Sequence, residues 1–322
     1  MHNAAKSNEF NKSVDHLSFS FAYLAPRYWL VWLWIGALRS LVALPQPMRM
    51  AAGRAIGRLL LKFAGKRRRI AERNLHLCFP EADAKWVSDI TRANFESMGE
   101  ALIETGMCWW LAEPKLIALT DIKGLEHLQA ALDKGKGVIL LSAHFTSLEL
   151  GVRLLDPFTE ATIYPVYQRH KNPLMEYIIT GNRLKHAKGV FSNDNVRGMI
   201  RALRNNGVLW YAPDQNYRGQ FSAMVDFFGH AAPSNTATSK LAQVSGAAVL
   251  PYIIQRRADG LGYCVEIGAA LDNFPGESAE VDTRRYHEII EQAIRITPEQ
   301  YLWTHKRFKR RPKDFEDVYA GI

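Results

Sequence analysis

The chain has 322 residues, of which 48% are apolar, so it can bury the core of one large domain or two modest ones, and a disordered chain is excluded. Its 41 Lys and Arg outnumber its 32 Asp and Glu, and the formal charge of +9 indicates an anionic partner: nucleic acid, a phospholipid surface or an acidic protein. The cysteines, Cys78, Cys108 and Cys264, form no C-x-x-C pair, which argues against a disulfide scaffold and a zinc finger.

An apolar, aromatic segment follows the mostly polar residues 1–27. From Tyr28 to Leu44 the sequence reads YWLVWLWIGALRSLVAL, with Arg39 as its only charge. These seventeen residues lie at the short end of the range for a membrane-spanning helix, and their Tyr and Trp side chains are typical of the lipid interface. The segment predicts a membrane anchor over residues 28–45, either spanning the bilayer or lying in its interface. The alternative is a buried core helix, because an arginine in mid-bilayer costs about 3 kcal/mol on insertion.

Two basic clusters flank the rest of the chain. Lys66-Arg67-Arg68-Arg69 follows a helical pattern over Met48–Ala64, and the segment from Lys306 to Lys313 has six basic residues in eight, interleaved with Phe308. Neither cluster accompanies a helix-turn-helix, an RNP-like aromatic sheet or a zinc spacing. Beside an apolar segment, such clusters are better explained by anionic membrane lipids, so we expect no nucleic acid partner.

Between the basic clusters the pattern is that of an α/β protein. Short β-rich runs alternate with helical stretches, which predicts βαβ units. The runs are Gly137–Ser142, Thr162–Tyr167, Val208–Ala212, Ala248–Ile254 and Tyr263–Ile267. We therefore predict an α/β domain over residues 46–322 with a mixed sheet flanked by helices, preceded by the membrane-anchoring helix and a helical N-terminal region. No G-x-G-x-x-G or G-x-x-x-x-G-K-[ST] phosphate loop is present, and we expect no cofactor.

One pair of residues has the pattern of a catalytic site. His144 follows the first apolar strand and Glu149 comes five residues later, near the start of the next helix, giving H-x-x-x-x-E. Ligands of open α/β sheets lie beyond the carboxyl ends of the strands, so His144 occupies the expected place for a catalytic group. A carboxylate at Glu149 would accept a hydrogen bond from one imidazole nitrogen and leave the other free as a base. The alternative is a loop histidine and a surface glutamate with no relation.

Nearly the full length of the chain resembles the late acyltransferases of lipid A biosynthesis, and within them the lauroyltransferase branch. The segments that carry the resemblance are PRYWLVWLWIGAL (Pro26–Leu38), RNLHLCFPE (Arg73–Glu81), NFESMGEALIETGMCW (Asn94–Trp109), HFTSLELG (His144–Gly151), VYQRHKNPLMEYI (Val166–Ile178), RGMIRAL (Arg197–Leu203), WYAPDQNY (Trp210–Tyr217) and PEQYLWTHKRFKRRP (Pro298–Pro312).

The resemblance implies an enzyme of the bacterial inner membrane, with its active domain facing the cytoplasm. Such an enzyme moves a fatty acyl group, laurate or a similar chain, from acyl carrier protein to a hydroxyl of a Kdo-bearing lipid A precursor. In the family the histidine of the motif is the general base, which maps to His144, and its acidic partner maps to Glu149. Direct transfer of this kind needs no metal and no acyl-enzyme. Both substrates are anionic, which agrees with the positive charge of the chain.

The resemblance also implies binding residues. Arg183 is expected to contact a phosphate or a sugar carboxylate, and Asp214 and Gln215, which follow the strand VLWYA, are expected to shape the pocket. The alternative is a surface arginine and a plain turn beginning at Pro213. Relatives commonly read Val-Tyr-Arg where this chain has Gln168 in the third place, so Arg169 becomes the candidate for the same anion.

Two other readings of the function stay open. The same chemistry on another hydroxyl or lipid, such as the second late acylation step or the acylation of a glycerophospholipid, is the nearest. A non-catalytic protein that binds anionic lipids on a decayed acyltransferase scaffold belongs to a different class, and the intact H-x-x-x-x-E speaks against it. The length of the acyl chain depends on pocket depth, which one sequence does not provide.

Overall fold

Helices make up the N-terminal third of the protein. The computed structural model describes residues 18–312 and 315–322, so most of the predicted segment 1–27 lies outside the described residues. After two 3₁₀ turns the chain forms five helices: α1 (Trp29–Val42), α2 (Gln46–Phe63), α3 (Gly65–Cys78), α4 (Ala84–Trp110) and α5 (Glu113–Leu119).

Helix α1 corrects the prediction of a spanning anchor over residues 28–45. Its 14 residues rise about 21 Å, whereas the hydrocarbon core of a bilayer is about 30 Å thick. Within residues 18–312 and 315–322, no helix is both long and apolar enough for a membrane crossing. One side of α1 buries Leu38 and Val42 against α4, at Gly106. The charge of Arg39 lies over the Trp110 ring, 5.3 Å from its centroid.

Helices α2 and α4 touch through glycines. A Cβ on Gly99 of α4 would lie 2.1 Å from the carbonyl oxygen of Gly53, and one on Gly57 would lie 2.2 Å from the carbonyl oxygen of Phe95. Real Cβ atoms do not approach so closely, so only glycine permits this separation of the helices. The glycines thus fix α2 against the long helix α4, which in turn packs on the sheet.

The centre of the protein is a seven-stranded sheet. Its strands are β1 (Thr120–Lys123), β2 (Val138–Leu141), β3 (Ile163–Tyr167), β4 (Phe191–Ser192), β5 (Val208–Tyr211), β8 (Ala248–Arg256) and β9 (Tyr263–Ile267), in the spatial order β1-β9-β8-β2-β5-β3-β4. The pair β8 and β9 is antiparallel and the other pairs are parallel. The predicted α/β fold with a mixed sheet is therefore confirmed. All five predicted strands are present, whereas β1, β4 and the separate hairpin β6 (Ser222–Phe227) and β7 (His230–Asn235) were not predicted.

Both faces of the sheet are covered by helices. Along β2, Val138 and Leu140 belong to one core cluster, and Ile139 and Leu141 belong to the other. Burial on both faces is why this strand is apolar at every position. The remaining helices are α6 (Leu125–Leu132), α7 (Gly151–Leu155), α8 (Pro173–Arg183), α9 (Val196–Arg204), α10 (Ala237–Ser245) and α11 (Ala279–Ile296).

The segment after α11 returns to the carboxyl end of β2. The main-chain nitrogen of Leu302 donates to the carbonyl oxygen of His144 at 3.0 Å, and that of Thr146 donates to Gln300 at 2.7 Å. Helix α4 holds the same segment, because the side-chain amide of Asn94 donates to the carbonyl oxygens of Glu299 at 2.8 Å and Tyr301 at 2.6 Å. The loop that carries His144 is therefore fixed by main-chain hydrogen bonds from the far end of the chain.

Candidate active site

A cavity of about 850 Å³ opens at the carboxyl edge of the sheet, where β2, β5 and β3 end side by side. The loop after β2 places His144 and Glu149 in its wall, the loop after β3 contributes Gln168, and the loop after β5 contributes Gln215. This is the position at which ligands of open α/β sheets bind. The predicted location of the site at a strand terminus agrees with this geometry.

His144 is held by Asp214. The ring Nδ1 lies 2.6 Å from Oδ1 of Asp214, and the main-chain nitrogen of His144 donates to Oδ2 at 3.0 Å. The two residues meet because β2 and β5 are parallel neighbours, so their carboxyl ends lie together. Asp214 is fully buried behind His144, whose side chain is 26% exposed toward the cavity. The hydrogen bond that we expected from Glu149 thus comes from Asp214.

Tyr301 is the second partner of Asp214. Its hydroxyl donates to Oδ2 at 2.9 Å. Burial alone would raise the pKa of Asp214, but the charge of His144 and the hydrogen bonds from His144 and Tyr301 lower it to about 2. Burial raises the pKa of Tyr301, which keeps its hydroxyl a donor. Sequence reasoning missed Tyr301, because 87 positions separate it from Asp214 and no spacing connects the two.

Glu149 forms an ion pair with Arg183. Nε of the arginine lies 2.9 Å from Oε1 and Nη2 lies 2.6 Å from Oε2, so each carboxylate oxygen receives a guanidinium hydrogen bond. Glu149 lies in a 3₁₀ turn, Leu148–Leu150, and Arg183 ends α8 over the ring of Tyr167. Burial lowers the pKa of Arg183, but the charge and the hydrogen bonds of Glu149, together with the nearby Cys108 and Tyr167, raise it above its ordinary value. Arg183, predicted as an anion contact, thus faces a carboxylate of the protein itself.

The other predicted binding residues divide into two groups. Gln215 lines the cavity, next to Asn216 and Tyr217. Arg169 is exposed and does not line the cavity, although the adjacent Gln168 does. The structure thus places the predicted pocket residue at the site and leaves the predicted anion contact at Arg169 outside its wall.

A buried arginine holds the loop that carries His144. Arg256, at the end of β8, forms two hydrogen bonds with Glu104 of α4, at 2.6 and 2.7 Å, and donates to Oγ1 of Thr146 at 2.9 Å. Burial lowers the pKa of Arg256, and the neighbouring Glu104 raises it above its ordinary value. Sequence reasoning gave no signal for this pair, because the two residues are 152 positions apart.

The residues that line the cavity include an apolar group and a polar group, here called the apolar branch and the polar branch. The apolar branch consists of Met199 and Ile200 of α9 and Leu241 and Val244 of α10. The polar branch contains the Glu149–Arg183 pair with Glu176, Asn193 and Asp194. A cavity wall with apolar side chains, a few polar groups and a histidine hydrogen-bonded to a buried carboxylate is typical of an active site.

The comparisons with known proteins give the class. The family model of bacterial lipid A biosynthesis acyltransferases matches residues 17–310, and the chain belongs to this family. The protein is therefore an acyltransferase of lipid A biosynthesis, and a lipid A precursor is its substrate.

Individual relatives cover almost the whole chain. The chain is 38% identical over 302 residues to the lipid A biosynthesis lauroyltransferase of Escherichia coli, with 94% of this chain and 98% of that protein covered. It is 37% identical over 305 residues to the lipid A biosynthesis palmitoleoyltransferase of the same organism, with the same shares covered. A lipid A biosynthesis acyltransferase of Haemophilus influenzae is 35% identical over 298 residues, with 91% of this chain and 94% of that protein covered. Two relatives named for different acyl chains are thus about equally similar to this chain.

Proposed function

We propose that the protein transfers a fatty acyl chain, laurate or a similar one, from acyl carrier protein to a hydroxyl of a Kdo-bearing lipid A precursor. The observation that carries the proposal is the hydrogen bond of 2.6 Å between Nδ1 of His144 and Asp214 at the wall of the cavity. A carboxylate that accepts from Nδ1 fixes the tautomer in which Nε2 carries the free lone pair. Nε2 is then the base.

The reaction is a direct transfer. His144 takes the proton of the acceptor hydroxyl as its oxygen attacks the thioester carbonyl carbon, and the bond from carbon to sulfur breaks as the ester forms. The proton then passes from His144 to the leaving thiolate, which restores the neutral imidazole. Asp214, ionised because its pKa is about 2, stabilises the imidazolium that exists between these two proton transfers.

Glu149 and Arg183 act together in this proposal. The pair lies in the polar branch of the cavity, where phosphate or sugar carboxylates of the acceptor would enter. Arg183 is held by Glu149 in one orientation and presents a fixed positive charge to an acceptor anion. Glu149 is thus a positioning residue for Arg183.

The surface supports a membrane location, which we propose to be the cytoplasmic side of the inner membrane. The two basic clusters lie close together. Nη1 of Arg67, in the first cluster, donates to the carbonyl oxygen of Thr304, just before the second cluster, at 3.0 Å. Burial and the neighbouring charge of Lys66 lower the pKa of Lys306. Lys313, the last residue of the second cluster, lies outside the described residues. On α1 and α2 apolar side chains are exposed: Trp29, Leu30, Leu33, Leu59 and Phe63. Apolar side chains next to cations fit the interface of a membrane with anionic lipids.

Two other functions would be separated by the same assay. A second late acylation step or acylation of another membrane lipid would give the same chemistry on a different acceptor, and a lipid-binding protein would give none. Purified protein is incubated with acyl carrier protein that carries a radiolabelled acyl chain. The acceptor is a Kdo-bearing precursor that either holds or lacks the first late acyl chain. We expect label to enter the precursor that lacks this chain, and we expect transfer to fall about 10²-fold to 10⁴-fold in His144→Ala. Equal transfer by wild type and His144→Ala would remove His144 from the mechanism, and no transfer by either would favour the binding protein.

A further inference from the structure

The main-chain nitrogens of His144 and of the next two residues are already engaged. The amide of His144 donates to Asp214 at 3.0 Å, and those of Phe145 and Thr146 donate to carbonyl oxygens of the protein, each at 2.7 Å. Acyl transfer places negative charge on the carbonyl oxygen of the acyl group, and enzymes stabilise that oxygen with hydrogen-bond donors that are fixed in advance. These three amides are therefore not available to such an oxygen, which leaves side chains of the cavity wall as candidate donors.

Tyr211, the last residue of β5, has a hydroxyl whose proton meets no acceptor among the described residues. Its Oη accepts a hydrogen bond from Nδ2 of Asn235 at 2.6 Å. The opposite side of this amide is fixed as well, since Oδ1 of Asn235 accepts from the main-chain nitrogen of Ala237 at 3.0 Å, where α10 begins. The amide thus turns its donor toward the tyrosine and does not take the tyrosine proton. Both Tyr211 and Asn235 line the cavity, so this proton is available to a bound substrate.

Tyr211 lies at the same edge of the sheet as the hydrogen-bonded pair of His144 and Asp214. It comes three residues before Asp214, and its carbonyl oxygen accepts from the main-chain nitrogen of Ser142, two residues before His144, at 2.8 Å. Burial, followed by the nearby Tyr217 and Asp214, raises the pKa of Tyr211. The hydroxyl therefore keeps its proton and stays a donor in the wall that carries the base.

Two other strong donors of the cavity wall are bound to carboxylates of the protein. Oη of Tyr167 donates to Glu176 at 2.7 Å, and the guanidinium of Arg183 donates to both carboxylate oxygens of Glu149. Tyr211 differs from both, because its oxygen is held by an oriented amide and its proton is unpaired among the described residues. A donor that is oriented before the reaction needs no reorganisation when the charge develops.

We propose that the hydroxyl of Tyr211 donates to the oxyanion of the transition state and that Asn235 is a positioning residue that orients this hydroxyl. The proposal rests on the proposed function, because the oxyanion forms only if an acceptor hydroxyl attacks a thioester beside His144. As the new carbon–oxygen bond forms, the π electrons of the carbonyl group move to its oxygen, which accepts the hydrogen bond from Tyr211. The electrons return as the carbon–sulfur bond breaks, and Tyr211 keeps its proton throughout.

The test compares full-length Tyr211→Phe with the wild type in the acyl transfer assay. The substitution removes the hydroxyl and keeps the ring, so kcat should fall about 10²-fold to 10³-fold, while the KM values of donor and acceptor stay within about threefold. The matched control is Tyr164→Phe. Tyr164 lies on the adjacent strand β3, packs against the same core cluster as Tyr211 and does not line the cavity, so the kcat of this variant should equal that of the wild type.

Asn235→Ala tests the positioning role. The variant keeps the hydroxyl of Tyr211 but removes the amide that orients it, so kcat should fall about tenfold, the effect of one hydrogen bond. In the background of Tyr211→Phe the same substitution should lower kcat no further. A purely structural role of Asn235 would instead lower kcat by the same factor in both backgrounds, which would overturn this part of the proposal.

A kcat of folded Tyr211→Phe within about threefold of the wild type would overturn the assignment of the donor. A loss confined to KM would overturn it as well, because the hydroxyl would then only bind substrate. If Tyr211→Phe fails to fold, Asn235→Ala decides, and an unchanged kcat in that variant overturns the proposal. Failure of the proposed function looks different, because the wild type would then transfer no acyl chain, or His144→Ala would transfer it as fast as the wild type. Either result overturns both proposals.

Discussion

A single carboxylate, that of Asp214, holds both the ring and the main chain of His144. Oδ1 accepts from the ring at 2.6 Å and Oδ2 accepts from the main-chain nitrogen at 3.0 Å. The imidazole can therefore not rotate or move along the loop without losing a hydrogen bond to a fully buried charge. This arrangement orients His144 before any substrate binds.

Replacement of Asp214 by asparagine should abolish most activity and preserve the fold. The amide has the shape of the carboxylate, but it does not stabilise the imidazolium and does not select the tautomer with a free Nε2. We expect kcat to fall about 10²-fold to 10⁴-fold at unchanged far-UV circular dichroism. Asp259→Asn, on an exposed loop, is the matched control and should retain full activity. A kcat for Asp214→Asn within threefold of wild type, roughly the effect of a distant surface change, would contradict the assignment.

Glu149→Gln and Arg183→Gln should behave as one change. Each residue binds the other through two hydrogen bonds, so either substitution breaks the same ion pair. The double variant should therefore be as active as the less active of the two single variants. Each single variant should also lower the free energy of unfolding by about 3 kcal/mol, since a half-buried charge is left without its partner. A double-mutant cycle of kcat/KM measures the coupling. Additive losses would show that Glu149 and Arg183 act independently of each other. The exposed pair Arg257 and Asp259 provides the control cycle.

Stability should fall as the pH falls below about 6.5. Burial and the positive charge of Arg307 lower the pKa of His287 to about 3, whereas its pKa in the unfolded chain is about 6.5. Between these two values only the unfolded state binds the proton, so this residue removes up to about 1.4 kcal/mol of stability for each pH unit of acidification. Urea titrations at a series of pH values measure the slope.

The matched variant for this pH dependence is His287→Asn, whose amide nitrogen takes the place of Nδ1 and can still donate to the carbonyl oxygen of Asp226, as the imidazole does in the wild type. Its stability should depend less on pH over the same range. The slope that remains should come from His305, whose pKa is lowered by burial to about 4, and from His186, whose pKa burial also lowers. An identical slope in the variant and the wild type would show that His287 does not control acid stability.

Gly99→Ala should separate two helices. The added methyl would lie 2.1 Å from the carbonyl oxygen of Gly53, so α2 and α4 must move apart, and the free energy of unfolding should drop by about 1–3 kcal/mol. In contrast, Gly36→Ala on the exposed side of α1 meets no atom within 4 Å and should stabilise the helix by about 0.5–1 kcal/mol. Thermal unfolding of both variants measures these changes. If Gly99→Ala melts at the same temperature as Gly36→Ala, the close contact of α2 and α4 contributes nothing to stability.

Substitution of exposed apolar residues on α1 should release the protein from membranes. Leu30 is 79% exposed and Leu33 is 69% exposed, so Leu30→Asp with Leu33→Asp replaces two apolar side chains without touching the core. Burial of a leucine contributes about 1.5–3 kcal/mol, so we expect binding to vesicles of anionic phospholipid to weaken at least tenfold. Co-sedimentation measures the binding. Ile296→Asp, 75% exposed on another helix, is the control, and equal loss in it would place the membrane-binding surface elsewhere.

The sheet was readable from the sequence because its central strands are buried on both faces. A short, wholly apolar run such as Val138–Leu141 predicts a buried central strand, and the end of that strand fixes the place of His144. The edge strand β1 and the hairpin of β6 and β7 carry no such run, since their residues are only partly buried. Strand β4 is buried, but it has only two residues. Their patterns are therefore too weak to distinguish from loops.

The hydrogen-bond partners within the site could not be predicted from the sequence. Glu149 is close to His144 in sequence, yet its side chain faces Arg183, because it lies in a 3₁₀ turn whose direction depends on the packing of α8. Asp214 was found as a pocket residue because it follows β5, but its bond to His144 depends on the order of strands in the sheet. Strand order follows from tertiary packing and leaves no periodic pattern in the sequence.

The contacts of the C-terminal segment determine when the enzyme becomes active during its synthesis. Among the residues that the structure describes, all those that line the cavity have been translated once the ribosome reaches Val244. The hydroxyl of Tyr301 and the amide of Leu302, which hold Asp214 and the loop of His144, are added later. A nascent chain that ends at Thr297 therefore contains His144, Asp214 and the cavity wall, but it lacks the groups that hold Asp214 and the loop in place. Late nonsense mutations should consequently lower the activity of the enzyme even though they leave the cavity wall intact.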